Sequence, residues 1–349
     1  MKAITVVPGS AASASLEHFD DPQESEGPVL VETIAVGICG TDLEIVSGQY
    51  GWAPPGHERL VLGHESIGRV VEAPEGSGLA AGDYVVGIVR RPDPVPCYNC
   101  AAGEWDFCRN GQYTEHGIKS LDGFMRERYR AAPDALVKVD SRLGELGVLL
   151  EPTSVVAKAW EQAEKVGNRA TWHPRVAVVT GAGPIGLLAA MIGVQKGLEV
   201  HVFDQVDKGL KPDLVGELGA TYHTGPIEAS AKDADVIIEC TGVPALVFDA
   251  IEHVGSGGVV CLTGVSPTGR ALSIDAGLVN RSMVLTNEGI VGSVNANRRH
   301  YEAASDALAT ASRDWLAKLV TRKVPIEEFA GAFEREPDDV KVVLQVSSD

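Results

Sequence analysis

The hydrophobic pattern of the chain changes style once. Up to roughly residue 150 it is short and strand-like: AITVV, GPVLVETIAVGI, SIGRVVEA and GDYVVGIV are β-branched runs separated by Gly, Pro and Asp. That punctuation belongs to strands joined by tight turns. Between residues 90 and 123 the rhythm gives way to a stretch rich in Pro, Cys and Gly, which predicts a loop. From RVAVVTGAGPIGLLAAMIGVQKGLEVHVFD onward, continuous apolar runs take over. A strand, a glycine turn, a long apolar helix and a second strand spell one βαβ unit. ADVIIECTG and GGVVCLTG are further buried strands, each ending in Thr-Gly, with helical spans between. Such alternation predicts a parallel, doubly wound sheet. HYEAASDALATASRDWLAKLV reads as helix, and DVKVVLQV is a last strand isolated from the parallel block. The expected fold is α/β: a β-rich domain over residues 1–155, a doubly wound domain over 156–300, and a segment 301–349 that returns to the first.

Composition narrows the class. A chain of 349 residues suits two domains better than one core, and 44% apolar residues is ordinary for a folded protein. Acidic residues number 48 against 30 basic ones, a formal net charge of −18. A field of that sign repels nucleic acid and anionic lipid, so neither is an expected partner. The acids are dispersed, as in EHFDDPQESE and REPDDV, and not gathered in a tail. Dispersed acid on a folded protein points to adaptation to high salt, where self-repulsion is screened. The opening MKAITVVPGSAASAS lacks the apolar core of a signal peptide, and no apolar run is long enough to span a bilayer. A cytoplasmic protein is therefore expected. In such a chain six cysteines serve metal ligation or burial sooner than disulfides.

Two constellations carry chemistry. Gly181-Ala182-Gly183-Pro184-Ile185-Gly186 is GxGxxG placed between a strand and a helix. Its glycines allow a tight turn, close approach of a pyrophosphate and close helix–strand packing, with the phosphate resting on the helix N-terminus. Asp204 ends the next strand, where a carboxylate binds the adenosine ribose hydroxyls and repels a 2′-phosphate. Lys208 and Lys211 lie just beyond and would offset that repulsion, so NAD is preferred and NADP stays open. The second constellation is scattered. VGICGTDLE offers Cys39, Thr41 and Asp42; LGHES offers His64 and Glu65; LLEPTSVVAKAW offers Glu151. Cys, His and carboxylate are suitable zinc ligands, and each lies near a Gly or Pro that can bend the chain to aim it. Each fragment alone reads equally as a buried cysteine, a satisfied histidine or a helix cap.

The order and separation of these fragments resemble the zinc-dependent medium-chain dehydrogenases along nearly the whole chain. The shared features are Cys39-Gly40-Thr41-Asp42, Gly63-His64-Glu65, Gly82-Asp83-Tyr84-Val85, a cysteine lobe, Glu151-Pro152 and the GAGPIG loop. The resemblance implies a GroES-like first domain that the C-terminal segment rejoins. It also implies Cys39 and His64 as ligands of a catalytic zinc, Glu151 as third ligand or substrate-side partner, and Glu65 as an alternating ligand. Asp42 would accept a hydrogen bond from the distal nitrogen of His64. Thr41 would relay a proton. Dinucleotide contacts would extend to Thr241, Leu262, Thr263, Gly264, Ser293, Val294 and Asn295.

CYNCAAGEWDFC gives Cys97, Cys100 and Cys108, where many relatives carry a structural zinc lobe of four cysteines. Pro94 stands at the first ligand position and cannot coordinate; Asp93 beside it would have to supply an oxygen, or the lobe is empty. Within the family, QYTEHGI around Glu115, IVGSVNANRRHY around Asn295 and the opening MKAITV lean toward the archaeal-type glucose dehydrogenases. On that resemblance Glu115, Asn295, Thr41 and Glu151 bind sugar hydroxyls. The reaction is then oxidation of an aldose at C1 to its lactone, with hydride passing to nicotinamide. Xylose, galactose, sorbitol and threonine remain alternative substrates. A zinc-free quinone reductase, or a nucleotide-sensing protein without chemistry, leaves Cys39, His64 and Glu151 unused. Edge strands of the cofactor sheet would invite a homodimer or homotetramer.

Overall fold

The structure, a computed structural model, describes residues 1–231, 233–267, 269 and 271–347. The chain divides into two compact units, residues 1–154 together with 295–349, and residues 155–294.

The first unit is built on a seven-stranded sheet. Its centre is the nine-residue strand Val29–Gly37, buried at every position but Glu32. Antiparallel neighbours flank it, Glu65–Glu72 on one side and Lys341–Gln345 on the other. The sheet continues outward through Tyr84–Gly87 and Leu136–Lys138 at one end and Val320–Pro325 at the other, while Arg128–Ala131 also pairs with Val29–Gly37. The final strand, isolated in sequence, thus lies against the longest strand of this sheet. Ile4, Val31, Val36, Leu62, Phe124, Tyr129 and Leu344 fill the core between sheet and loops. At roughly 1.5–3 kcal/mol for each large apolar side chain removed from water, this cluster is what holds the loops in place.

The second unit is a six-stranded sheet, all parallel, in the spatial order Thr221–His223, Glu199–Phe203, Val176–Thr180, Ala234–Glu239, Val254–Leu262, Gly289–Gly292. In chain sequence that is the order 3-2-1-4-5-6 of a dinucleotide-binding fold. Val178, Phe203, Ile237 and Val260 are core residues of these strands. They belong to near-continuous apolar runs because helices cover a parallel sheet on both faces. The helix Pro184–Gln195 is buried over most of its length, which explains an apolar run without a polar face.

The span beyond residue 300 is not one helix. Helices Arg298–Thr310 and Arg313–Leu319 are separated at Ala311-Ser312, where the Ser312 side chain accepts from the Trp315 N–H and starts the second helix. A strand, Val320–Pro325, follows at once. Among the described residues no helix is long and apolar enough to cross a membrane.

Candidate active site

Two glycines shape the site in the first unit. Gly63 has φ +91°, and a Cβ there would lie 2.5 Å from Met125 Cγ and 2.8 Å from Val36 Cγ1. The chain therefore turns sharply just before His64. Glu65 opens the next strand directly opposite Gly37. A Cβ on Gly37 would come within 2.1 Å of Glu65 Oε2, so the missing side chain is the space that the carboxylate occupies. Plain strand would send His64 and Glu65 to opposite faces; the turn brings both to one place. Cys39 stands at the N-cap of helix Gly40–Val46. Cys39, His64 and Glu65 present ligand atoms that all lie within 4.8 Å of one another.

Asp42 locks this arrangement. It is fully buried, its Oδ2 accepts the Cys39 N–H at 2.8 Å, and its Oδ1 faces His64 Nδ1 at 3.5 Å. Burial works against a charged imidazole, yet the Asp42 carboxylate and the Cys39 thiol outweigh it and raise the His64 pKa well above its ordinary value. Among the described residues His64 Nδ1 and Asp42 Oδ1 have no closer polar partner than each other, so the contact is on the side of the ring that Asp42 orients. A thiol, an imidazole and a carboxylate whose ligand atoms converge within 4.8 Å are a donor set that suits zinc.

Glu65 is not free for a metal alone. Lys341, from the last strand, donates to both of its carboxylate oxygens, at 2.8 and 2.6 Å, and to the Ile38 carbonyl at 3.2 Å. Burial disfavours the ammonium, but Glu65, Cys39 and Glu151 hold the Lys341 pKa above its usual value. Nothing in the sequence marks this lysine. Glu151, in the first turn of helix Leu150–Gly167, stands outside the cluster of Cys39, His64 and Glu65. Its carboxyl is pushed up to about 7, chiefly by burial, with His64 opposing and Glu65 adding to the shift. The Thr41 hydroxyl lies 4.0 Å from Cys39 Sγ.

In the second unit the glycine loop has the geometry its pattern requires. Gly181 has φ +86°, and a Cβ on Gly186 would lie 1.7 Å from the Gly181 carbonyl oxygen, whereas one on Gly183 would meet nothing within 4 Å. Gly186 is thus packed shut and Gly183 is open, leaving room for phosphate at the N-terminus of the helix that begins at Pro184. Asp204 accepts the Ala182 N–H at 2.7 Å and lies 3.3 Å from Lys211 Nζ; Lys208 is exposed. Fully buried Glu239 was invisible inside an apolar run. Its Oε1 accepts from Thr180 Oγ1 at 3.1 Å and from the Thr241 N–H at 2.8 Å, and its Oε2 from the Gly242 N–H at 3.1 Å. Thr263 Oγ1 and the N–H groups of Thr263 and Gly264 close on its backbone carbonyl. One carboxylate and its own carbonyl thus organise two of the strand-end turns. Leu262 closes its strand and is half-buried. Ser293 is buried with its hydroxyl unpartnered among the described residues, and the carbonyl of exposed Val294 accepts from buried Lys158 Nζ at 2.9 Å.

Two family descriptions cover these units. "Alcohol dehydrogenase GroES-like domain" matches residues 25–141 and "Glucose dehydrogenase C-terminus" matches residues 144–346. The chain belongs to the zinc-dependent medium-chain dehydrogenases. Among its relatives in that family, glucose 1-dehydrogenase of Methanocella arvoryzae is 39% identical over 100% of both chains. That of Halobacterium salinarum is 38% identical over 93% of each. Glucose dehydrogenase of Haloferax mediterranei, solved in complex with NADP, Zn and gluconolactone, shares the fold with a TM-score of 0.92 at 34% identity, covering 100% of both chains.

The lobe in which many members of this family hold a second zinc is reduced here. Cys97, Cys100 and Cys108 bring their sulfurs within 4.8 Å of one another. Asp93 does not join them: its Oδ1 accepts the Val95 N–H at 2.8 Å, and its Oδ2 is buried without a partner among the described residues. Cys97 caps the short helix Tyr98–Ala101. Backbone N–H groups, that of Arg109 foremost, lower its pKa to about 6, whereas burial pushes Cys100 up to about 11. Three converging thiols suit a soft metal, and among the described residues no fourth ligand joins the cluster.

The residues expected to read the sugar are in the first unit as well. Glu115 and Asn295, 180 positions apart, are joined by a hydrogen bond of 2.9 Å from Asn295 Nδ2 to Glu115 Oε1. The turn after Glu115 rests on the peptide preceding His64: a Cβ on Gly117 would lie 2.5 Å from the Gly63 carbonyl oxygen.

Proposed function

We propose that the protein oxidises an aldose, D-glucose first, at C1 to the 1,5-lactone, with hydride passing to NADP or NAD. The observation that carries this reading is the convergence of Cys39, His64 and Glu65 on one point within 4.8 Å, in a chain with full-length glucose 1-dehydrogenase relatives. Cys39 and His64 would hold the zinc, with Glu65 or Glu151 as the exchangeable carboxylate. When bound, zinc acts as a Lewis acid that makes the C1 hydroxyl easier to deprotonate. Asp42 orients the His64 ring. Glu151, with its pKa near 7, holds or gives up a proton at neutral pH and is suited to take the one released. Thr41, beside Cys39, lies on the way out. Glu115 and Asn295 bind sugar hydroxyls, and a site built for hydroxyls rejects analogues that leave its polar groups unpaired.

The second unit would bind the dinucleotide through Gly181 to Gly186, with Asp204 and Lys211 reading the adenosine ribose. The thiols of Cys97, Cys100 and Cys108 would hold a second, structural zinc. The outermost strand Gly289–Gly292 leaves one side of the cofactor sheet unpaired among the described residues, and we assign it to pairing in a homodimer or homotetramer. Light scattering on the purified protein tests that assignment.

Steady-state assays with glucose, galactose and xylose, each with NADP and NAD, test the function. The expected result is zinc-dependent turnover on glucose. Cys39→Ala or His64→Ala should abolish it together with zinc content while leaving dinucleotide affinity unchanged. Full activity in a zinc-free His64→Ala variant would sink the reading.

A further inference from the structure

Glu115 is gripped by a cation. Arg90 pairs with it directly across the antiparallel ladder of Arg90–Arg91 and Thr114–His116. Both side chains are buried, 7% and 8% exposed. Arg90 Nε donates to Glu115 Oε1 at 2.9 Å, Nη2 lies 2.9 Å from the same oxygen, and Nη1 donates to the Asp106 carbonyl at 3.2 Å. The Tyr113 ring covers the guanidinium, with Cζ 3.8 Å from the ring centroid. Asn295 Nδ2 adds its bond to Oε1, and its own Oδ1 is taken by the Ala296 N–H at 2.7 Å, which fixes the amide's orientation.

The donors therefore all end on Oε1. Among the described residues none ends on Oε2, and Oε2 is not one of the buried atoms cut off from solvent. Three donors crowd onto one oxygen while the other is left to whatever enters the adjoining space, water or a ligand hydroxyl. Glu115 thus keeps one oxygen saturated and one oxygen available.

We propose that Arg90 is the positioning residue of the sugar subsite. It holds Glu115 so that Oε2 alone accepts a hydrogen bond from a single substrate hydroxyl. The proposal rests on the reading of the protein as an aldose dehydrogenase and adds to it a one-acceptor rule of recognition. Arg90 acts only through Glu115. Lysine cannot replace it, since one ammonium cannot deliver two donors to Oε1 and a third to the Asp106 carbonyl.

The test compares wild type, Arg90→Lys, Arg90→Gln and Glu115→Gln on glucose and on its 2-, 3-, 4- and 6-deoxy analogues. Zinc content, dinucleotide affinity and thermal midpoint are followed on each. In the wild type, one deoxy analogue should lose about 10- to 100-fold in kcat/KM, the worth of one hydrogen bond to a charged group. Both Arg90 variants should raise the KM for glucose by about tenfold or more with a smaller change in kcat. The penalty for that one analogue should shrink to that of the others, with dinucleotide affinity unchanged. The Arg90→Gln/Glu115→Gln double variant should be no worse than Glu115→Gln alone, as for residues acting as one unit. Should Arg90→Gln fail to fold, Arg90→Lys carries the comparison. An Arg90→Lys enzyme with a lowered thermal midpoint but a wild-type deoxy-sugar profile overturns the proposal and leaves a structural ion pair. A wild type inert on every aldose overturns the functional reading itself, and is recognised before any variant is compared.

Discussion

At the scale of single residues, the site depends on a buried pair that zinc chemistry does not require. Lys341→Met leaves the Glu65 carboxylate buried without its cation, which should cost about 3–5 kcal/mol in urea unfolding. Adding Glu65→Gln to that variant should recover a large part of the loss. Asp42→Asn should lower zinc affinity by about 10–100-fold in a chelator competition, because the group facing His64 Nδ1 changes from acceptor to donor or neutral oxygen. Cys39 and His64 each stand beside a glycine that breaks the apolar pattern, but the roles given to them and to Asp42 came from the family resemblance. Lys341, Arg90 and Glu239 were not legible in the sequence. Lys341 and Glu239 sit inside strand-like runs and Arg90 at the start of the stretch read as loop, and what makes each matter is a partner supplied by tertiary pairing: Glu65 lies 276 positions from Lys341. A sequence displays its own polarity but not the group brought opposite to it.

At the scale of elements, strands and the glycine loop followed from periodicity, since one-faced alternation and continuous apolar runs have different origins. The helix predicted beyond residue 300 did not, because Ser312 restarts a helix in a stretch whose apolar spacing hardly changes. Gly37 links strand to site. Gly37→Ala places a methyl within 2.1 Å of Glu65 Oε2, and such overpacking should cost about 1–3 kcal/mol and reduce zinc content together. The cysteine lobe offers a pH test. Cys97, its pKa lowered to about 6, should alkylate half-maximally near that pH, whereas Cys100 should stay protected until near its raised value of about 11. Mass spectrometry after iodoacetamide treatment reads both, and added zinc should protect all three thiols.

At the scale of the whole molecule, a net charge of −18 pits general repulsion against individual ion pairs. The pairs Arg142–Asp140 and Lys2–Glu327 are largely exposed and contribute little. Repulsion should therefore dominate. Because the screening length falls from about 10 Å at 0.1 M salt to about 3 Å at 1 M, added KCl should raise the thermal midpoint. Calorimetry in KCl against an uncharged osmolyte checks this, and a midpoint that falls with KCl would show the pairs prevailing.

The place of the last strand has a consequence for biosynthesis. Cys39, His64 and Glu65 leave the ribosome early, but Lys341 follows Glu65 by 276 residues. At about 5–20 residues per second that is a wait of tens of seconds. Throughout it the nascent first unit lacks the strand that covers Val29–Gly37 and carries the counter-charge of Glu65. Completion of the site, as distinct from the emergence of its ligands, therefore waits on a strand made long after them.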